Sequence, residues 1–292
     1  MTAATPVSLI AEGAALAAPL PPLLAAAEHL ATTVILGDHG RRRAGLGDDF
    51  WQYRPAQPHD AARSIDWRRS ARSDAAFVQD KEWQIAQSVI LWVDRSAAMR
   101  FASRPALPSK ADRARLLALA LALLLLRGGE RVGLSGLGLP PARGRAQADR
   151  IAEIFCEDDA ADYGAPDTAG LPHHSRALFV SDFLGDPAPV ETALTAAADR
   201  GIRGALLQVL DPAEEAFPFD GRTLFESMGG TLSHDTLQAS ALRSRYLDRL
   251  AARKDHLARL ARVTGWQYNC HHTDTPPAAA LLWLWHAIER HA

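Results

Sequence analysis

At 292 residues the chain has room for one large domain with an appendage, and its 48% hydrophobic content suits a sizeable core. A formal net charge of −2 excludes a global pull towards nucleic acid or anionic membrane. Two cysteines, Cys156 and Cys270, exclude a disulfide framework and fit reduced cytosolic thiols.

Residues 1–36 are Ala/Leu-rich and interrupted by Pro19, Pro21 and Pro22, which predicts a helical lead with a second helix near 22–35. No basic n-region precedes Glu12, so a signal peptide is not expected. Residues 37–84 change character to Gly, Arg, Asp and Trp with short extended pieces. Eight Arg and four Asp fall between positions 41 and 72. Arg and carboxylates form planar bidentate pairs, so this segment reads as an ion-pair lattice lying on a sheet and pinned by Phe50, Trp51 and Trp67. The interleaved aspartates argue against a plain phosphate-binding patch.

From position 85 strands and helices alternate, as a parallel α/β sheet requires. The predicted order is strand 87–94, helix 109–127, strand 131–137, helix 145–156, strand 177–182, helix 187–200 and strand 204–210. An irregular segment over 211–235, a long helix 237–264, strand 266–271 and a last helix 277–290 complete it. The longest apolar run, Leu116 to Leu126, is eleven residues. A bilayer crossing takes roughly 17–25. The run therefore reads as a helix buried on all sides. Six acids and no base fall between 153 and 167, where the acidic stretch 157–170 reads as a loop, and seven bases against two acids between 243 and 262 mark a basic helix.

Three apolar strands end in aspartate: Val89-Ile90-Leu91-Trp92-Val93-Asp94, Ala177-Leu178-Phe179-Val180-Ser181-Asp182, and Gly204 to Asp211. Continuous apolar runs are strands buried on both faces, and the C-terminal edge of such a sheet is where ligands bind. Elsewhere, Cys270, His271, His272 and Asp274 crowd a strand end, but adjacent strand positions face opposite ways and no second ligand pair follows. Trp283 and Trp285 lie about 200° apart on a helix and cannot both face one core. No nucleophile elbow, phosphate loop or dinucleotide fingerprint is present.

The run His39-Gly40-Arg41, Gly45-Leu46-Gly47-Asp48, Tyr53-Arg54-Pro55, Asp60, Arg63, Ile65-Asp66-Trp67-Arg68 and Ala71-Arg72, followed by Asp94-Arg95-Ser96-Ala97-Ala98-Met99, resembles the signature of the bacterial domain-of-unknown-function-58 family. The chain departs from the pattern at His59-Asp60, where the family has Gly-Asp, and at Ala56, where it has Tyr. The resemblance implies an α/β fold, a von Willebrand factor A-like, mostly parallel sheet flanked by helices. Three regions follow: a lead over 1–36, the signature segment over 37–84 and the α/β domain over 85–292.

In such domains an Asp-x-Ser-x-Ser loop, a distant Thr and a distant Asp hold a divalent ion. Asp94, Ser96 and Asp182 match three of these positions; Ala98 lacks the oxygen of the fourth, and Arg143-Gly144-Arg145 stands where the Thr belongs. The implied site is degenerate, with no cofactor or weakly bound Mg²⁺, and Arg95 or Arg145 is expected to supply positive charge beside Asp94. Ala98→Ser is expected to raise Mg²⁺ affinity. The implied function is a cytoplasmic, non-enzymatic adaptor working with a MoxR-type AAA+ ATPase, without a membrane span and without nucleic acid. Its partner would dock on the Asp94, Ser96 and Asp182 edge and on Arg54, Asp60, Arg63, Asp66, Trp67, Arg72 and Arg95. A metal-dependent hydrolase built on the strand-end carboxylates is the alternative, and a nucleic-acid binder using the helix over 243–262 is a third reading.

Overall fold

The computed structural model describes residues 44–45, 49–57, 65–71, 76–82, 87–168 and 171–289. The helices expected over 1–36 lie outside the described residues, as do Asp60, Arg63 and Arg72. The chain divides into two compact units, one over residues 24–86 and one containing 87–292.

The smaller unit is a three-stranded antiparallel sheet of β1 (Ala44–Gly45), β2 (Asp49–Pro55) and β3 (Phe77–Glu82), with β3 in the middle. A bulge between Phe50 and Gln52 shifts the β2–β3 register. A one-turn helix, α1 (Trp67–Ser70), precedes β3. Asp66 caps it by accepting from the Arg68 amide at 3.1 Å. The Ser70 hydroxyl donates to the Asp66 carbonyl at 2.7 Å and accepts from the Phe77 amide at 2.8 Å, fastening the turn to β3. Arg54 falls in β2, its side chain outside the description. The expectation that Trp67 pins this segment is corrected: at the start of the one-turn helix α1 it is 64% exposed.

In the larger unit, β4 (Ser88–Val93) is followed by a 3₁₀ turn (Ala97–Arg100) and α2 (Lys110–Arg127). Next come β5 (Arg131–Leu134), β6 (Leu139–Ala142) and α3 (Arg145–Phe155). β7 (Arg176–Ser181), α4 (Pro187–Asp199), β8 (Arg203–Leu210) and a short α5 (Pro212–Ala216) follow. A hairpin of β9 (Thr223–Glu226) and β10 (Ser233–Thr236) leads into α6 (Arg243–Thr264), β11 (Gln267–His272) and α7 (Pro277–Glu289). The six-stranded sheet runs β11-β8-β7-β4-β5-β6. Every pair in it is parallel except β5–β6. This is the expected α/β architecture, a mostly parallel sheet with helices on both faces.

Alternation along β4 builds two cores. Ile90 and Trp92 join Phe179, Leu206, Leu257 and Trp266 under α4 and α6. On the other face α2 packs against α3 and α7. Its apolar run is buried throughout, from Leu117 to Leu125. Gly204 is required where β8 meets β7, because a Cβ there would collide with the Ala177 carbonyl. β6 is an edge strand carrying Pro140 and Pro141, the one place in a sheet where missing N–H donors cost little. Among the described residues no helix is long and apolar enough to cross a membrane.

Candidate functional site

The chain leaves β4 for β5 on one side and returns to β7 on the other, so the sheet's switch point lies at the C-terminal ends of β4 and β7. A crevice outside strand ends is the expected ligand position at such a point. Asp94 and Asp182 meet there: the Asp94 amide donates to the Val180 carbonyl at 2.9 Å, and the two carboxylates feel each other electrostatically.

Both carboxylates are only 2% exposed, and each is engaged internally. Asp94 Oδ1 accepts from the Ser96 amide at 2.9 Å, and Oδ2 accepts from the Ser181 hydroxyl at 2.7 Å. Burial pushes the Asp94 carboxyl above its ordinary range, against the pull of the Ser181 bond. Asp182 Oδ1 accepts from the Leu184 amide at 3.0 Å, in a turn that holds Phe183 at φ 50°. Its Oδ2 receives the Lys110 ammonium at 2.7 Å.

Lys110 is the residue that sequence reasoning missed. As the first residue of α2, after the cap Ser109, it reads as a solvated lysine; in the fold its side chain is 2% exposed. Its Nζ bridges Asp182 and Glu214 Oε1, the latter at 2.6 Å, and lies 5.7 Å from the centre of the Phe101 ring. Burial alone would lower its pKa, but the two carboxylates outweigh burial and raise it above the ordinary value. Glu214 is held in turn by the capping box of α5, its Oε2 accepting from the Asp211 amide at 2.9 Å.

Lys110 is one of three buried cations in the first turns of α2, a place where the helix dipole disfavours positive charge. Each ties down a different segment at this edge. Lys110 holds the ends of β7 and β8; Arg113 donates to the Thr273 and Thr275 carbonyls at 2.8 and 2.7 Å, beyond β11; Arg115 pairs with Asp158 of the acidic loop. His271 packs on Arg113 at 3.3 Å, and burial with that charge lowers its pKa to about 4.

The acidic loop over 157–168 closes the crevice. Gly164 rests on the Asp94 carboxylate so tightly that a Cβ would collide with it. The Ala97 and Ala98 amides donate to the Ala161 and Asp162 carbonyls at 2.8 and 3.0 Å. Asp162 reaches onward to the β9–β10 tip, accepting from the Gly229 amide at 2.8 Å and from the Thr231 hydroxyl. A cleft of about 160 Å³ remains, lined by Asp94 and Gly164 together with Trp92, Arg95, Ser135 and Asp159.

These contacts correct two expectations. The edge at Asp94, Ser96 and Asp182 is covered by the loop over 157–168, so those side chains do not present themselves to a partner. Arg95 turns away from Asp94, donating to the Ile154 and Glu157 carbonyls at 3.4 Å each, while Arg145 pairs with Asp149 on the surface of α3. The residues do not fit a divalent ion. Such an ion takes about six hard oxygens. Here Ala98 supplies none, Asp182 is neutralised by an ammonium, and the Ser96 hydroxyl is the one buried oxygen of the set without a partner among the described residues. No cluster of three or more His, Cys, Asp or Glu poised for a metal occurs among the described residues, the strand end at His271 and His272 included. Cys156 and Cys270 are not joined by a disulfide.

Solved structures similar to this chain include the conserved hypothetical protein BatB of Bacteroides thetaiotaomicron, at 16% identity over 70% of this chain and 98% of that one, with a TM-score of 0.39. An aerotolerance-related membrane protein of Bacteroides fragilis matches at 15% identity over 70% of this chain and all of that one, also with a TM-score of 0.39. Uncharacterized proteins Mb1516 of Mycobacterium bovis and Rv1480 of Mycobacterium tuberculosis are each 28% identical over 247 residues, covering 80% of this chain and 77% of theirs. The model of the family described as proteins of unknown function DUF58 matches residues 52–256, well over half of the chain, and the chain belongs to that family.

Proposed function

We propose that this chain is a non-enzymatic protein-interaction module, von Willebrand factor A-like in design, acting in the cytoplasm as an adaptor for a MoxR-type AAA+ ATPase, with ATP turnover residing in the partner. The observation that carries this reading is the surface around the β9–β10 hairpin. Leu224, Met228, Leu232 and Leu237 are 56, 45, 61 and 80% exposed, and they make up most of the large exposed apolar side chains among the described residues. Clustered exposed apolar side chains mark interaction sites.

The hairpin stands on a rigid footing. Phe217, Phe219, Phe225 and Tyr246 interlock with ring centres 4.8 to 5.8 Å apart, joining the hairpin base to the first turns of α6. Those turns expose Arg243, Arg245 and Arg249. Apolar anchors beside a basic helix complement a partner segment that is acidic with apolar side chains. The strand-end carboxylates then serve as scaffold, fixing the loop over 157–168 that braces the hairpin tip through Asp162. A hydrolase built on Asp94 and Asp182 is less well supported, because both are occupied by internal donors.

The test is titration of the full chain with a MoxR-type AAA+ ATPase of the same organism. A saturable complex that weakens with salt is expected, and the paired change Leu224→Ser/Leu232→Ser abolishes it while leaving the circular dichroism spectrum intact. No complex at low salt overturns the reading.

A further inference from the structure

The switch point of this sheet is disposed around positive charge, and the chain provides that charge itself. We infer that the Lys110 ammonium is the resident cation of the strand-end site, so that the site is complete and ordered without a divalent ion.

Two placements of Lys110 are unfavourable in isolation. A cation opposes the dipole at a helix N-terminus. A buried ammonium loses its hydration. Both are offset by geometry: the ammonium lies 2.7 Å from Asp182 Oδ2, 2.6 Å from Glu214 Oε1 and 5.7 Å from the centre of the Phe101 ring. The ligands are themselves fixed, Asp182 by the Leu184 amide and Glu214 by the Asp211 amide. The arrangement joins the ends of β7 and β8 to α2, as a metal would join loops, but with a charge that cannot dissociate. The remaining donors agree. Asp94 already holds two hydrogen bonds and has Gly164 against it, so its carboxylate is engaged from within the protein. The inference concerns the site and not its partner, and it stands whether or not the ATPase binds.

Calorimetry and thermal unfolding of the full chain, alone, test it with Mg²⁺ and with Mn²⁺. The wild type is expected to give no saturable heat, and its midpoint is expected to be the same in millimolar Mg²⁺ as in EDTA. A saturable isotherm that Asp182→Asn abolishes would overturn the inference. Lys110→Met leaves two buried carboxylates facing each other, and its midpoint is expected to fall by about 10 °C. Millimolar Mn²⁺ recovers part of that loss by binding the folded state. If Lys110→Met keeps the wild-type midpoint in EDTA, Lys110 is not the charge that completes the site, and the inference fails. Should Lys110→Met not fold, the wild-type isotherm and its Asp182→Asn control decide the matter without it.

Discussion

At the scale of single residues, the site is governed by desolvation. Asp94, Asp182 and Lys110 are among the most buried charged residues described, and each owes its tolerance to a particular donor or acceptor. Removing one partner of such a set costs far more than the set contributes, because a bare charge stays behind. Gly164 is the steric counterpart. Gly164→Ala drives a methyl group into the Asp94 carboxylate, and a loss of about 1–3 kcal/mol is expected from urea unfolding. The pairing of Asp94 with Asp182 was legible in the sequence, since two apolar runs each ended in aspartate and parallel strands align their ends. The cation was not. Arg95 was the natural choice by adjacency in sequence, yet residues next to a strand end point in opposite directions. Lys110 lies fifteen positions after Arg95, and only the return of α2 over the sheet brings it to Asp182.

At the scale of elements, α2 organises the C-terminal edge. Its apolar run, buried on every side, was plain from the sequence; the three cations in its first turns, each reaching a different loop, were not, because an Arg/Lys-rich helix start resembles an ordinary solvated end. The β9–β10 hairpin was read as irregular for a similar reason. Ser233-His234-Asp235-Thr236 carries no apolar residue, so alternation gave no signal, and its partner strand has only Leu224 and Phe225. β6 was hidden by Pro140 and Pro141. Asp162 is the link between hairpin and loop. Asp162→Ala is expected to speed amide exchange at residues 227–232 and 160–165 while leaving the global unfolding midpoint nearly unchanged, because these bonds are exposed. Unchanged exchange at the hairpin would show that the two segments are independent.

At the scale of the whole molecule, the parallel order was readable because buried strands announce themselves by length and by uninterrupted apolar character. The closure of the crevice was not, because a loop of small and acidic residues carries no pattern that says what it covers. One global property follows from the edge. His271 is kept neutral in the fold, its pKa lowered to about 4 by burial and by Arg113. The unfolded chain takes up that proton near pH 6.5, so the neutral imidazole's contribution is complete above that pH and fades as the pH falls towards 4. Wild type and His271→Gln, compared by denaturant unfolding, are expected to converge by on the order of 2 kcal/mol across that interval, the wild type losing ground on acidification. A constant difference would mean that His271 takes up its proton as readily in the folded chain as in the unfolded one.

The hairpin and the basic helix form the surface proposed here for a partner protein. The most direct test of that proposal is the affinity of the full chain for a MoxR-type ATPase of the same organism, measured at low and moderate salt, in Mg²⁺ and in EDTA, with Leu224→Ser/Leu232→Ser alongside. A saturable complex that salt weakens, chelation leaves alone and the paired leucine change removes is expected. A complex that survives the leucine change and vanishes in EDTA would contradict the proposal.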